Sequence, residues 1–189
     1  MVVAVWELAV FVATARHAPV YDTGPRFNDT ADGGGRIVLP FLRAAGVNRL
    51  DALVVSHADS DHAGGAASIV HGLGVAQLIS SLPADHPLIA AAPMRTPAVR
   101  CEAGARWEWD GVVFTLLHPL RANYDEPTRK GNDLSCVLRI EAAQVDRQVV
   151  GAADDGACRR HGRGALAMRQ LVEDLEQDRR RRLAPHAPC

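Results

Sequence analysis

The chain reads as an α/β fold, and three observations point there. Leu53-Val54-Val55, inside the stretch Leu50 to Ser56, is a short continuous apolar run. Such a run forms a strand covered on both faces and is too short for a helix. The Ala-rich stretch Ala63 to Leu73 then places Ile69, Val70 and Leu73 on one helical face, with Gly72 and Gly74 as a stop. Further on, Gly111 to Leu117 and Ser135 to Ile140 carry the pattern of strands. With 189 residues, 48% of them hydrophobic, the chain is one domain by length and can bury a core.

The elements follow in order. The first fifteen residues are apolar, and Ala13-Thr14-Ala15 has the form of a signal cleavage site. They lack a basic leader, carry Glu7 and fall short of the ~20 residues that span a bilayer, so they are expected to be strands. Phe27 to Gly35 is polar and Gly-rich, which predicts a mobile loop beside the site; no Gly-Lys-Ser/Thr follows, so it is not a phosphate loop. Leu82 to Pro87 and Pro93 to Pro97 bracket a further crossover. Near residue 150 the strand pattern gives way to one helical pattern with Leu166, Met168, Leu171, Val172 and Leu175, ending in Arg179-Arg180-Arg181-Arg182. The expected division is therefore a domain at 1–150 and a divergent, Arg-rich helical tail at 151–189. That basic end either touches nucleic acid or complements a helix dipole at a solvated terminus.

The feature that carries chemistry is His57-Ala58-Asp59-Ser60-Asp61-His62, followed by Gly64-Gly65. It falls on the strand-to-helix turn, and in α/β sheets sites gather at the carboxyl ends of strands. Positions 57 and 59 point one way from an extended segment, while Asp61 and His62 turn elsewhere as the helix begins. Two neighbouring metals could share such a loop. Capping of the helix by Ser60 or Asp61 is the plain alternative, but it accounts for one residue of the cluster and leaves three without a role. A metal with open coordination lowers the pKa of bound water to roughly 7, and a pair about 4 Å apart stabilises both oxygens of a phosphodiester displacement. Asp59 in place of an imidazole makes the site richer in oxygen, favouring harder ions such as Mn²⁺ without excluding Zn²⁺.

Ser56-His57-Ala58-Asp59-Ser60-Asp61-His62-Ala63-Gly64-Gly65 resembles the metal-binding signature of the metallo-β-lactamase superfamily, in a variant with Asp for the second His. With Val20 to Pro25, Arg36 to Leu42, Leu117-His118-Pro119 and Gly131 to Leu138, residues 14 to 141 are similar to the C-terminal soluble domain of the ComEC family of DNA-internalisation competence proteins. The resemblance implies an αβ/βα sandwich with metal at the sheet edge. It implies a hydrolase that degrades the DNA strand not imported, beside a membrane channel domain of a bacterial inner-membrane protein. Carried over, His57 and Asp59 serve one ion and Asp61 with His62 the other, Asp61 being the catalytic candidate. Asp22, in the Asp-X-Gly loop, steadies the ligand loop from behind. Asn132 and Ser135 stand where hydrolytic relatives often carry another His. The family's Thr-Gly-Asp and His-His-Gly-Ser segments have no match, and Asp154 and His161 stand nearest by position. On this pattern the chain reads as a truncated or frameshifted copy, its second half incomplete.

The remaining signals are weaker. A net charge of −1 advertises no nucleic-acid partner, so any DNA contact would be local, through Arg26, Arg36, Arg129 and Lys130. Cys101, Cys136, Cys158 and Cys189 lack zinc-ribbon spacing; Cys136 reads as a small core residue. His118 ends a strand and could approach the metals, whereas His71 and His86 read as structural or solvated. Asp22-Thr23-Gly24 also suits an aspartic protease, but that chemistry needs a second carboxylate from a repeat or dimer, and one copy exists here. Three expectations remain: a metal-dependent phosphodiesterase acting on DNA with two Zn or Mn ions, a catalytically inactive metal-binding remnant of one, and the protease.

Overall fold

The computed structural model describes residues 1–151, apart from Glu7, residues 93–95, Pro127, Lys130 and residues 143–144; for residues 145–151 it describes the backbone alone. The expected tail, with Asp154, His161 and the four arginines, lies outside the described residues.

The apolar opening forms a hairpin, β1 (Val2–Trp6) and β2 (Ala9–Ala13), as the strand reading required. The chain then runs through β3 (Pro19–Tyr21) antiparallel to β2. The segment expected as a loop folds instead as a small hairpin, β4 (Arg26–Asn28) and β5 (Ala31–Asp32), running into a widely wound turn Gly34–Val38 and helix α1 (Leu39–Ala44). Local bonds outweigh its glycines: Asn28 Oδ1 accepts from the Thr30 amide and Asp32 Oδ1 from the Gly35 amide. After β6 (Arg49–Leu50) comes β7 (Ala52–Val55), all four residues buried as a doubly covered strand demands.

The helix expected from Ala63 begins earlier and is broken: α2 (Ser60–Ala63) and α3 (Ala66–Gly72) flank Gly64-Gly65. Backbone packs directly on backbone at this break. A Cβ built on Gly65 would lie 2.2 Å from the Gly34 nitrogen, and one on Gly34 would lie 2.1 Å from the Gly65 carbonyl oxygen. Beyond β8 (Gly74–Val75), strand β9 (Leu78–Ser80), helix α4 (Pro87–Ala90) and strand β10 (Ala98–Arg100) form the further crossover, with β10 parallel to β9. A meander completes the described chain: β11 (Arg106–Trp109), β12 (Val112–His118), β13 (Val137–Ala142) and β14 (Val145–Gly151). Its first turn, Asp110-Gly111, has positive φ at both residues, the geometry that matches the twist of paired strands.

Two main sheets result, one of six strands in the order β1-β2-β3-β7-β9-β10 and one of four in the order β11-β12-β13-β14, beside the two-stranded pairs β4-β5 and β6-β8. Their facing sides share a core in which Val12, Tyr21, Ala52, Val54 and Ile79 meet Val112, Phe114, Leu116, Cys136, Leu138 and Ile140. The period of two that put Val112, Phe114 and Leu116 on one side is visible in the burial of β12. By the same alternation Leu53 and Val55 face the other way, toward a helical layer that buries Leu39, Leu42, Ile69 and Val70. This is a mixed α/β sandwich, helix layer on sheet on sheet.

Among the contacts that tie these sheets together are two at opposite ends. Cys101, just past β10, and Cys136, just before β13, are fully buried and disulfide-bonded, their Cα atoms 6.0 Å apart. Cys136 is thus a core residue, as expected, and also a bridge that its 35-residue spacing from Cys101 could not announce. On the opposite side Asp110 accepts from Thr14 Oγ1 at 2.7 Å, the Arg16 amide at 2.8 Å and Arg16 Nε at 2.9 Å, and pairs with His17 Nδ1 at 3.0 Å. The His17 ring stacks on Trp109.

Candidate metal centre

Parallel strands β3 and β7 end side by side, which brings Asp22 against the residues that follow Val55. Asp22 takes a positive φ of 55°, tolerable for Asp, and turns the chain out of β3 so that its carboxylate lies beneath the ligand loop. Asp22 Oδ1 accepts from the Ser56 amide at 2.7 Å, and Oδ2 accepts from Ser56 Oγ at 2.7 Å and pairs with His62 Nδ1 at 2.8 Å. Ser56 Oγ also meets His57 Nδ1 at 2.9 Å. The Ser56 carbonyl accepts from Ser81 Oγ and from the Cys136 amide, so the residue is held on every side. Ser56 had no role in the sequence reading; the available signal was a hydroxyl closing an apolar run directly before a histidine.

Both histidines are buried, their ring centroids 4.2 Å apart. Each offers its free nitrogen to one carboxylate: His57 Nε2 lies 3.5 Å from Asp59 Oδ2, and His62 Nε2 lies 3.6 Å from Asp61 Oδ2. Asp59 and Asp61 are half exposed, each side chain at 52%. Capping by Ser60 or Asp61 is not what the fold shows: both lie inside α2, Asp59 stands at its N-cap without a side-chain capping bond, and the Asp59 carbonyl accepts the first helical bonds from the His62 and Ala63 amides. Burial pulls the His57 imidazole below its ordinary value, and the neighbouring His62 adds to the effect, more than Asp22, Asp59 and Asp61 restore. Burial pulls on His62 as well, but the hydrogen bond and charge of Asp22, with Asp61 and Asp59, outweigh it, so His62 is raised.

The other candidates divide. Ser135 is brought to the site, its Oγ 3.3 Å from His57 Nδ1. Asn132 reaches it only through its main chain, the Asn132 carbonyl accepting from Ser135 Oγ at 2.8 Å, while its side chain is exposed. His118 ends β12 and holds the Ser135 carbonyl through Nδ1 at 2.9 Å. His71 bonds its own helix at the Ala67 carbonyl, and His86 Nδ1 caps α4 by accepting from the Leu88 amide.

A zinc or manganese centre needs three or more protein donors converging on one point. Among the described residues no group of three or more His, Cys, Asp or Glu side chains is gathered to hold a metal ion. The expected pair of ions is therefore not supported by the cluster alone. Asp59 and Asp61 diverge, one to each histidine, and each half offers one imidazole and one carboxylate. The described donors do not fit a tightly held ion, and no catalytic step is derived through one.

The family model described as Metallo-beta-lactamase superfamily matches residues 8–130. The chain belongs to the metallo-β-lactamase superfamily. This metallo-β-lactamase domain is 38% identical to competence protein ComA of Neisseria gonorrhoeae over 157 residues, covering 80% of this chain and 20% of that protein. Recombination protein 2 of Haemophilus influenzae is 30% identical over 150 residues, covering 78% of this chain and 17% of that protein. ComE operon protein 3 of Bacillus subtilis is 33% identical over 123 residues, covering 62% and 16%. The chain thus spans a fifth or less of the curated relatives it matches. Among solved structures, a metallo-β-lactamase from Cronobacter sakazakii superposes with a TM-score of 0.51 at 20% identity, covering 89% of this chain and 64% of that one. At that identity the likeness shows the metallo-β-lactamase αβ/βα sandwich and nothing of the chemistry. No helix among the described residues is long and apolar enough to cross a membrane.

Proposed function

We propose that the chain is a catalytically inactive, metal-binding remnant of the domain carried by competence-type proteins, holding a divalent ion only loosely. The observation that carries this reading is the division of the cluster into two His–carboxylate halves with no third donor among the described residues. A zinc bound by two protein ligands lacks the three that keep a hydrolytic ion in place. Association with the competence machinery belongs to the proposal and rests on the name of the Neisseria relative, and a membrane channel as its partner rests on the family resemblance alone.

The active reading, a Zn- or Mn-dependent phosphodiesterase acting on DNA, is favoured by one observation. Both Nε2 atoms face carboxylates across 3.5 and 3.6 Å, separations an ion could fill. It needs donors from outside the described residues, Asp154 being the candidate. Elemental mass spectrometry of the purified chain, beside hydrolysis of end-labelled single-stranded DNA with added Zn²⁺ or Mn²⁺, separates the two. The inactive reading expects less than one retained ion per chain and no more cleavage than Asp61→Ala. Two ions per chain, with cleavage abolished by Asp61→Ala, overturns it.

A further inference from the structure

We propose that Ser135, together with Ser56, is a positioning residue that locks His57 in the tautomer protonated at Nδ1, leaving Nε2 as a lone pair turned toward Asp59. The argument is a count of hydroxyl hydrogens. Ser56 Oγ has one, and its three polar neighbours able to receive it are Asp22 Oδ2 at 2.7 Å, His57 Nδ1 at 2.9 Å and His62 Nδ1 at 3.4 Å. The carboxylate is nearest and is the strongest acceptor, so the Ser56 hydrogen goes to Asp22. Ser135 Oγ likewise has one hydrogen, and the Asn132 carbonyl at 2.8 Å competes with His57 Nδ1 at 3.3 Å. The shorter bond takes it.

His57 Nδ1 therefore faces two oxygens that present only lone pairs. A bare Nδ1 there would set three lone pairs against one another in a buried site, whereas an Nδ1–H donates to both oxygens; the Nε2 side weighs less, because the Asp59 carboxylate is half exposed to water and stands 3.5 Å away, beyond ordinary hydrogen-bond length. His62 reaches the same tautomer by another route, giving its Nδ1–H to the Asp22 carboxylate at 2.8 Å. Ser135 thus acts through His57 rather than as a ligand. The connection between β12 and β13, which supplies Ser135, bears directly on the ligand loop, and His118 steadies it by holding the Ser135 carbonyl. The inference concerns the chain without metal and stands apart from which functional reading holds.

Nitrogen-15 NMR of histidine side chains in chelator-treated protein tests it. Wild type is expected to show a pyrrole-type Nδ1 and a pyridine-type Nε2 for His57. In Ser135→Ala the His57 Nδ1–H resonance should move and its exchange with water should quicken, Ser135→Thr should restore both, and the His62 signals should stay put. A pyridine-type Nδ1 in wild type overturns the proposal, as does an unchanged Nδ1–H in a folded Ser135→Ala protein. Should Ser135→Ala not fold, the wild-type tautomer alone decides.

Discussion

Asp22 and His62 stand 40 residues apart in the chain and 2.8 Å apart in the fold. The contact exists because β3 and β7 are parallel neighbours, so the ends of two separate segments meet at one sheet edge. One buried carboxylate thereby serves the amide and hydroxyl of Ser56 and the imidazole of His62.

Removing that carboxylate should be costly. Asp22→Ala leaves the Ser56 donors and His62 buried without their acceptor, and loss of one partner of a buried ion pair costs about 3–5 kcal/mol. Asp22→Asn keeps one acceptor oxygen and should cost less. Urea unfolding of both variants checks the order; an Asp22→Ala protein as stable as wild type would refute this account of the loop.

The two histidines should titrate on opposite sides of the ordinary value of 6.5, His57 below and His62 above. The signs for stability differ accordingly. The His62 contribution is full below 6.5 and disappears as pH rises through its raised folded value, while buried His57 imposes a penalty that grows as pH falls from 6.5 toward its lowered one. Histidine NMR from pH 4 to 9 reads both, and Asp22→Asn should bring His62 down.

Gly65→Ala should fail to give the native fold. Its Cβ would meet the Gly34 backbone nitrogen at 2.2 Å, a contact no side-chain rotation relieves. Overpacking commonly costs about 1–3 kcal/mol, and rigid backbone on both sides puts this case at the upper end or beyond. Gly131→Ala is the matched control, since nothing lies within 4 Å of its Cβ and its φ is not positive; it should be neutral. Circular dichroism and thermal melts of the pair distinguish a packing role from a generic glycine effect.

The Asp110 clasp predicts acid sensitivity. Hydrogen bonds from His17, then Thr14 and Arg16, hold the Asp110 carboxyl well below the usual carboxylate range. Its contribution is therefore present above the unfolded value of 3.8 and is lost as pH falls below it. Asp110→Asn keeps the positive-φ geometry, which Asn also accepts, and removes the charge. Wild type and variant should differ in urea midpoint at pH 6 and converge as the pH drops toward 2.

Much of the candidate site was legible in the sequence because its ligand-type residues are consecutive: a buried strand, a turn and a helix place His57 to His62 together with no help from distant chain. The extent of the helix was less legible. Gly64 and Gly65 resemble a tolerated pair inside a helical pattern, and only the approach of Gly34 from another segment explains the break. Phe27 to Gly35 looked like a loop for a similar reason, its hairpin depending on side-chain acceptors at Asn28 and Asp32.

By itself the sequence determined the α/β class, the opening strands, the strand before the ligand loop, the strands at 111–117 and 135–140 and the family, since these rest on local periodicity and on a run of adjacent residues. The tertiary structure alone decided which groups meet across long separations: Asp22 with Ser56 and His62, Ser135 with His57, Cys101 with Cys136, Asp110 with Thr14, Arg16 and His17. It also decided that Asp59 and Asp61 turn to different histidines, a matter of backbone direction at the start of α2 that residue spacing leaves open. Composition and pattern act through nearest neighbours along the chain, whereas a hydrogen-bonded site depends on ångström-scale distances that only packed sheets set.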